Sequence, residues 1–197
     1  LLSKNHPEFK IYKNLEISDS VWKSIFNKIK KNNIKIIVDV FSISRIKLAN
    51  KLGADSFKIH SSDVNNEELL FYATKLGKPV LLSCSGCTEN EIYNAIKILK
   101  TNKNIEIILM HGFQGFPTKL SDINLKRITK LQEKFSLPVG YMDHISGDSY
   151  LSKYLPIMAL SLGACIIEKH ITLDRKYKEE DYESSLNLEE FLEMKKI

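Results

Sequence analysis

The chain has 197 residues, of which 43% are hydrophobic and 27% charged, and its formal net charge is +5. This composition is ordinary for one folded domain with a sizeable core, and no run of 18 apolar residues occurs that would suit a membrane span. The lysines are spread along the chain rather than clustered. That distribution favours a solvated lysine-rich surface over a nucleic-acid-binding patch.

The cysteines and the first residues bear on the protein's location. Cys84, Cys87 and Cys165 form no even-numbered disulfide framework, so we expect a reducing cytoplasm. Cys84 and Cys87 match the CxxC pattern, but no second pair completes a zinc site and no thioredoxin-like order surrounds them. The start has neither a secretory signal pattern nor an initiating Met, so we expect the chain to have been cut from a longer protein.

Apolar runs of β-forming residues alternate with helical patterns along the whole chain. The runs span residues 34–41, 55–60, 78–85, 105–112, 137–144 and 164–172. Helix starts are predicted at Ser18, Ser42, Asn65 or Asn66, Thr88 (in a capping box with Glu91), Ser121 or Asp122, and Asn187, and helix ends at Gly53, Gly77 and Gly163. No low-complexity linker interrupts them, so residues 1–197 are predicted to be one domain.

This alternation predicts βα units and a parallel sheet, since both faces of such strands are buried. An open doubly wound sheet and a (β/α)8 TIM barrel are the two candidate architectures. No glycine-rich GxGxxG or GxxxxGK[ST] loop follows a strand, which weighs against the nucleotide-binding open sheets. A barrel takes about 250 residues. The sequence therefore predicts an α/β fold with about six of the eight βα units of a TIM barrel, the first two strands being absent.

Four of the five histidines follow the predicted strands, where barrels carry their chemistry. These are His60, His111, His144 and His170. Each alone suits a hydrogen-bonded interior histidine, but together they indicate a site. Two imidazoles on adjacent strands suit Mn²⁺, Fe²⁺, Co²⁺ or Zn²⁺, so His144 and His170 are predicted metal ligands. The alternative is a pair of neutral hydrogen-bonded histidines.

A lysine stands inside one apolar run. Lys58 lies within FKIH, where a buried amine requires an anionic partner or a depressed pKa; the alternative is a side chain that extends outward to water. Ser61 and Asp63 follow this strand, and Ser83 and Ser85 end the next one. Small hydroxyls beside a buried lysine suit a phosphate or carboxylate ligand.

Further charged residues lie near the last two strands. Asp143, Glu168, Lys169 and Asp181 have side chains suited to orienting ligands or handling protons. The alternative for Glu168 and Lys169 is a structural ion pair with each other.

Several motifs in this order strongly resemble the sialic acid synthase family, which makes nonulosonic acids from phosphoenolpyruvate and an N-acylated sugar aldehyde. They are FKIHSSD, GKPVLLSCSG, ILMHGFQGFPT, LPVGYMDH, LGACIIEKHITLDR and DYESSLNLEEF. The GY-x-DH and IEKH-x-TLDR segments, at this spacing, are quite specific. The resemblance covers residues 10 to 197.

The resemblance implies a (β/α)8 barrel whose C-terminal mouth holds a divalent metal, often Mn²⁺. A small antifreeze-like domain commonly follows such a barrel, and the chain has no segment that matches it. Phosphoenolpyruvate and an N-acetylmannosamine-like aldehyde are the implied substrates, and the reaction releases phosphate. Helices on the outside of such barrels often carry a dimer contact, which allows a homodimer; neither nucleic acid nor membrane is implied.

The resemblance also assigns roles by position. His144 and His170 match the two metal-binding histidines. Lys58, Ser61 and Ser83 match residues that hold phosphoenolpyruvate. The remaining matches concern the sugar aldehyde: Asp181 matches an acid that touches it, and Asp63 lies where the family has a nearby glutamate.

The chain departs from the family at several positions. Gln114 stands in place of the usual asparagine, and Phe116 replaces a tyrosine, which removes one hydroxyl from the sugar pocket. Met142 replaces a serine beside a metal histidine. Asp39 stands where the family usually has a threonine near the phosphate, and a carboxylate there would repel the donor unless a cation or proton offsets it. These departures concern the identity of the substrate more than the reaction class.

Two other functions remain open at the level of sequence. A Schiff-base pyruvate aldolase would use Lys58 as its nucleophile, since a desolvated lysine on a barrel strand can serve that way. A non-catalytic sugar-binding relative, or an inactive fragment, is the other, because the chain lacks the first two strands and their residues.

Overall fold

The computed structural model describes residues 5–7 and 9–197, and its centre is one parallel sheet of six strands in chain order. The strands are β1 (Ile37–Asp39), β2 (Ser56–Ile59), β3 (Val80–Ser83), β4 (Ile107–His111), β5 (Val139–Asp143) and β6 (Ile167–Lys169). Each lies within one of the six predicted runs and is shorter than it. The prediction of a parallel α/β sheet is confirmed.

Helices follow the strands and precede the first of them. They are α1 (Phe9–Asn14), α2 (Asp19–Lys31), α3 (Ile43–Leu52), α4 (Glu67–Leu76), α5 (Glu89–Leu99), α6 (Arg127–Phe135), α7 (Tyr154–Ser161) and α8 (Leu188–Met194). None of the described helices is both long enough and apolar enough to cross a membrane.

Most predicted helix ends are confirmed by the hydrogen bonds at them. Ser18 and Ser42 accept from the backbone three residues on, and Thr88 and Glu91 form the predicted capping box of α5. These bonds satisfy the amide groups that the first helical turn leaves free. Gly53 ends α3 with a φ of 88°, a left-handed conformation that glycine adopts without steric cost.

Three features differ from the sequence predictions. The helix predicted to start at Ser121 or Asp122 begins at Arg127 instead, because Asn124 has a left-handed φ of 40° that interrupts helical geometry. Helix α1 was not predicted. Two short parallel strands, β7 (Ile171–Thr172) and β8 (Leu186–Asn187), were also missed, since two residues carry no detectable alternation.

The two faces of the sheet have different neighbours. Side chains of one face belong to the large core beneath the helices, among them Phe57, Leu82 and Leu109. Side chains of the opposite face form a separate cluster of Leu81, Met110 and Met142, with Ile108 and Ile166 against it. Because successive residues of a strand point to opposite faces, this second cluster defines the interior face of the sheet.

The sheet is strongly curved around that interior face. Strands β2 and β6 are four strand positions apart, which in a flat sheet would separate them by about 19 Å. Yet Lys58 Nζ on β2 lies 2.7 Å from Glu168 Oε1 on β6. A contact between two side chains across this span requires an arc. The six strands therefore form part of a barrel wall, with β1 and β6 as the edges of the sheet.

Candidate active site

A cleft of about 400 Å³ lies on the interior face, between the two edge strands. Its polar lining residues are Asp39, Lys58, Glu168 and His170. Three of them are the last or next-to-last residue of a strand, and His170 directly follows β6. The carboxyl ends of parallel strands thus converge on one opening, as in barrel enzymes.

Lys58 is held between two carboxylates. Its Nζ lies 2.7 Å from Glu168 Oε1 and 3.2 Å from Asp39 Oδ2, and its side chain is 12% exposed. Burial alone would lower the pKa of Lys58, but the charges of Glu168 and Asp39 outweigh it and leave the pKa raised. The predicted anionic partner is confirmed, and the alternative of an outward-extending amine is wrong. Lys58 is therefore a fixed positive charge in the cleft.

His144 and His170 approach each other at the same opening. Their ring centroids are 5.2 Å apart and the rings are nearly perpendicular, at 80°. His144 Nδ1 lies 3.0 Å from the Phe113 carbonyl oxygen, and His170 Nδ1 lies 3.4 Å from Asp181 Oδ2. In both rings, Nε2 has no protein hydrogen-bond partner among the described residues. This is the pattern of metal-binding histidines, whose second nitrogen is fixed by a carbonyl or carboxylate.

The separation of the two rings fits one shared divalent ion. With a metal–nitrogen distance of about 2.1 Å, each ring centroid lies about 3.2 Å from the ion, and bite angles of about 90–110° then separate the centroids by about 4.5–5.3 Å. Burial lowers the pKa of His144, and the neighbouring His170 lowers it further. A neutral imidazole is the form that a metal requires.

The histidine pair is not a complete protein cage. Within residues 5–7 and 9–197, no group of three or more His, Cys, Asp or Glu side chains has the arrangement to hold a metal. Two protein ligands leave several coordination positions for water and substrate, which is the condition of a catalytic rather than a structural site. The Phe116 ring lies over the pair, 4.4 Å from His144 and 5.9 Å from His170 between centroids.

The other two strand-end histidines lie elsewhere. His111 shares the helix-facing side of β4 with Leu109, and its Nε2 lies 2.9 Å from the Ile123 carbonyl oxygen. Burial lowers the pKa of His111. His60 binds Ser62 Oγ through Nδ1 at 2.9 Å and does not line the cleft. The prediction that four strand-end histidines form one site is thus wrong for His111, and His60 lies beside Asp39 rather than beside the His144–His170 pair.

The predicted hydroxyl ligands are placed unevenly. The Oγ atoms of Ser83 and Ser85 are buried and have no hydrogen-bond partner in the described part of the chain. Ser83 shares the interior face with Leu81, two residues earlier, so its free hydroxyl belongs to the cleft side of β3. Ser61 begins the 3₁₀ turn Ser61–Asp63 that follows β2.

Two predicted sugar-binding residues do not join this group of side chains. Asp63 accepts from Asn66 Nδ2 at 2.8 Å, and Asn66 caps α4, so the carboxylate supports a helix start. Gln114 is exposed on the loop after β4. Their roles toward a sugar stay predictions.

A second charged pair lies directly behind the histidines. Lys169 Nζ is 2.7 Å from Asp143 Oδ2, with side-chain exposures of 2% and 0%. Asp143 Oδ1 also accepts from the Tyr141 hydroxyl at 3.0 Å. Glu168 and Lys169 do not pair with each other, because they point to opposite faces of β6, but each forms an ion pair elsewhere, Glu168 with Lys58 and Lys169 with Asp143. The sequence could have shown this, because adjacent residues of a strand point to opposite faces of a sheet.

The CxxC cysteines are structural. Cys84 is buried, and burial raises the pKa of its thiol to about 12. Burial also raises the pKa of Cys87. Arg127 donates to the carbonyl oxygens of both residues at 3.1 and 3.3 Å. Neither thiol has the lowered pKa of a redox centre.

A comparison with known protein families matches the sequence profile of the NeuB family to residues 2–197. The chain belongs to the NeuB family. Its curated relatives include the N,N'-diacetyllegionaminic acid synthase of Campylobacter jejuni, which is 32% identical over 190 residues, covering 95% of this chain and 55% of the relative. A pseudaminic acid synthase of the same species is 34% identical over 174 residues, covering 88% of this chain and 49% of the relative.

Solved structures of the family share the fold. The N-acetylneuraminic acid synthetase of Leptospira borgpetersenii, in complex with citrate, superposes with a TM-score of 0.90 at 30% identity, covering 98% of this chain and 66% of that chain. The prediction of a sialic-type acid synthase family is confirmed. The chain spans about half the length of the curated relatives it matches.

Proposed function

We propose that the protein containing this chain condenses phosphoenolpyruvate and water with an N-acylated amino-sugar aldehyde to give a nonulosonic acid and inorganic phosphate. The reaction would take place in a (β/α)8 barrel domain, of which residues 1–197 supply six βα units. The arrangement of His144 and His170 supports this proposal: their rings are 5.2 Å apart, His144 Nδ1 lies 3.0 Å from the Phe113 carbonyl oxygen and His170 Nδ1 lies 3.4 Å from Asp181. Neither Nε2 has a hydrogen-bond partner among the described residues, and His170 lines the cleft that holds the Lys58 ammonium.

Different residues of the cleft suit the two substrates, the anionic donor phosphoenolpyruvate and the neutral sugar acceptor. Lys58 and the unpartnered hydroxyl of Ser83 suit the phosphate or carboxylate of phosphoenolpyruvate, with Ser61 at the end of the same strand as Lys58. Asp181 and Phe116, which adjoin the histidines, suit the sugar. For Gln114 and Asp63 a contact with the sugar rests on the family resemblance alone.

His144 and His170 would hold a divalent metal, for which Mn²⁺ is our candidate, through their Nε2 atoms. When bound, such an ion supplies a Lewis acid that polarises the sugar aldehyde. Phe113 O and Asp181 fix the orientation of the two rings. Lys58 and the serines hold the donor so that its methylene carbon faces the aldehyde carbon, which lowers the entropic cost of the encounter.

The names of the relatives support the product class and leave the acceptor open. Legionaminic, pseudaminic and N-acetylneuraminic acids are all represented among them. An N-acetylmannosamine-like sugar and a deoxy-diamino relative are therefore both candidate acceptors. The loss of a hydroxyl at Phe116 favours an acceptor with one fewer polar group at that point.

The decisive experiment measures phosphate release by the full-length protein from phosphoenolpyruvate, Mn²⁺ and a panel of amino-sugar aldehydes. We expect release that requires both a sugar and the metal. Replacing Lys58 by methionine should raise the KM for phosphoenolpyruvate by about 10–100-fold, since a hydrogen bond to a charged group contributes about 1.5–3 kcal/mol. The matched Lys97→Met variant, on the exposed face of α5, should change nothing. Absence of release with every sugar would contradict the proposal.

The Schiff-base alternative makes an opposite prediction at the same residue. A nucleophilic lysine must be neutral near pH 7, whereas the pKa of Lys58 is raised by Glu168 and Asp39 despite its burial. We therefore expect no covalent adduct at Lys58 after borohydride treatment with pyruvate, as read by mass spectrometry of the intact protein and its peptides. A stable adduct on Lys58 would instead support an aldolase.

A further inference from the structure

The charges at the base of the cleft do not balance for an anionic ligand. Asp39 and Glu168 share one ammonium, that of Lys58, so the three ionised groups together carry one negative charge. A phosphate or carboxylate that enters beside them adds like charge at short range, where repulsion is strongest and screening by salt is weakest. Among these three side chains, a proton on one of the two carboxylates would remove the excess negative charge and the repulsion next to the ligand.

Asp39 and Glu168 are not equivalent partners of Lys58. Glu168 makes the shorter contact, 2.7 Å against 3.2 Å for Asp39. The second oxygen of Asp39, Oδ1, is inaccessible to solvent and has no hydrogen-bond partner among the residues the structure describes. Burial raises the pKa of Asp39, and Lys58 only partly opposes this rise. A buried carboxylate oxygen that accepts no hydrogen bond is stabilised most by protonation.

The other ionisable groups near Asp39 do not remove this imbalance. From β2 and the turn after it come Lys58 and His60; from β6 comes Glu168. His170 lines the same cleft. On its other side, Asp39 borders a mostly apolar cavity of about 500 Å³ whose charged lining residues are Glu16 and Arg45. No arginine or lysine other than Lys58 is within ion-pair distance of Asp39 in the described part of the chain.

We propose that Asp39 takes up a proton from solvent when the anionic donor enters the cleft. The proton binds the Asp39 carboxylate. The resulting O–H group donates a hydrogen bond to an oxygen of phosphoenolpyruvate, which replaces the repulsion between the two anions. This inference rests on the proposed function and extends it: Asp39 makes donor binding proton-linked. Binding that takes up one proton weakens as pH rises, by up to about tenfold per pH unit between the pKa of the free and the occupied cleft.

Calorimetric titration of the full-length, Mn²⁺-loaded protein with phosphoenolpyruvate tests this. The titration is run at pH 8 in two buffers of different ionisation heat, whose comparison gives the protons taken up per donor bound. The donor's own phosphate is already ionised at that pH, since its second pKa is about 6. We expect uptake approaching one proton for the natural protein and none for Asp39→Asn, with about tenfold tighter binding by the variant at pH 8.

Two companion variants separate Asp39 from its surroundings. Asp39→Ser should abolish the proton uptake as Asp39→Asn does. Because serine has no amide group, it excludes an effect of hydrogen bonds made by the introduced asparagine. His60→Asn should retain it, because the proton is assigned to Asp39 and not to this neighbouring imidazole. Uptake that persists in Asp39→Asn, or is absent from the natural protein, overturns the proton linkage while donor binding leaves the proposed function intact. Failure of phosphoenolpyruvate to bind any of the proteins between pH 6 and 8 overturns both.

Discussion

Replacement of His170 by asparagine is expected to weaken Mn²⁺ binding by more than about 100-fold, because even the loss of a residue that only orients a metal ligand costs about 10–100-fold. Titration of the metal-stripped protein, with free Mn²⁺ followed by electron paramagnetic resonance, measures this without any turnover. His144→Asn should have an effect of similar size, since both rings present a free Nε2 at the same opening.

Graded effects are expected from the residues around the pair. Asp181→Asn should weaken binding by about 10–100-fold, because it removes the carboxylate that fixes His170 Nδ1. His60→Asn is the matched control, a strand-end histidine outside the cleft, and should bind Mn²⁺ like the natural protein. Equal affinity in the natural protein and in both ligand variants would mean that the two imidazoles do not share an ion. The unfolding temperature of each metal-free variant shows whether the fold has survived.

The sequence predicted the sheet well because each strand lies within a run of mostly apolar residues. Continuous apolar runs are visible without alignment or spacing arguments, and all six were found. Capping residues such as Ser42 and Thr88 gave most helix starts, because their side chains bind the backbone locally. The start of α6 was misplaced because Asn124 has a left-handed φ. Asparagine tolerates this conformation but does not require it, so the sequence did not predict it.

The site was harder to predict because it depends on which face each residue occupies. His144 and His170 were found as strand-end histidines, but the same reasoning wrongly included His111, which lies one residue out of phase on β4. A strict two-residue alternation from Leu109 would have placed it under the helices. The contact between Lys58 and Glu168 could not be predicted from the sequence. Glu168 is 110 residues away, and the curvature of the sheet brings the two side chains together.

The buried pair behind the histidines is expected to give the largest effect on stability. Asp143→Asn removes the only acidic partner that Lys169 has among the described residues, and leaves an ammonium that is 2% exposed. Breaking one side of a buried pair costs about 3–5 kcal/mol, because the remaining charge has neither water nor a counter-ion. Urea denaturation of the metal-free protein, with unchanged slope, measures the loss of unfolding free energy.

A surface pair provides the contrast. Lys153 and Glu193 are 2.6 Å apart, but their side chains are 27% and 59% exposed. Glu193→Gln should therefore cost less than about 1 kcal/mol. The double variant Asp143→Asn, Lys169→Met should recover much of the loss from Asp143→Asn alone, since it removes the uncompensated charge. A loss below about 1 kcal/mol for Asp143→Asn would show that the ammonium finds water or another acceptor.

We expect the same pair to affect the positions of His144 and His170, the proposed metal ligands. Asp143 and Lys169 are aligned across β5 and β6, and each directly precedes one of the two histidines. We therefore expect their ion pair, on the helix side of the sheet, to help hold the register that brings His144 and His170 together on the other side. The double variant restores neutrality but not this link, so it should regain stability while still binding Mn²⁺ about 10-fold more weakly than the natural protein. Recovery of both properties together would mean that strand hydrogen bonding alone sets the distance between the two rings.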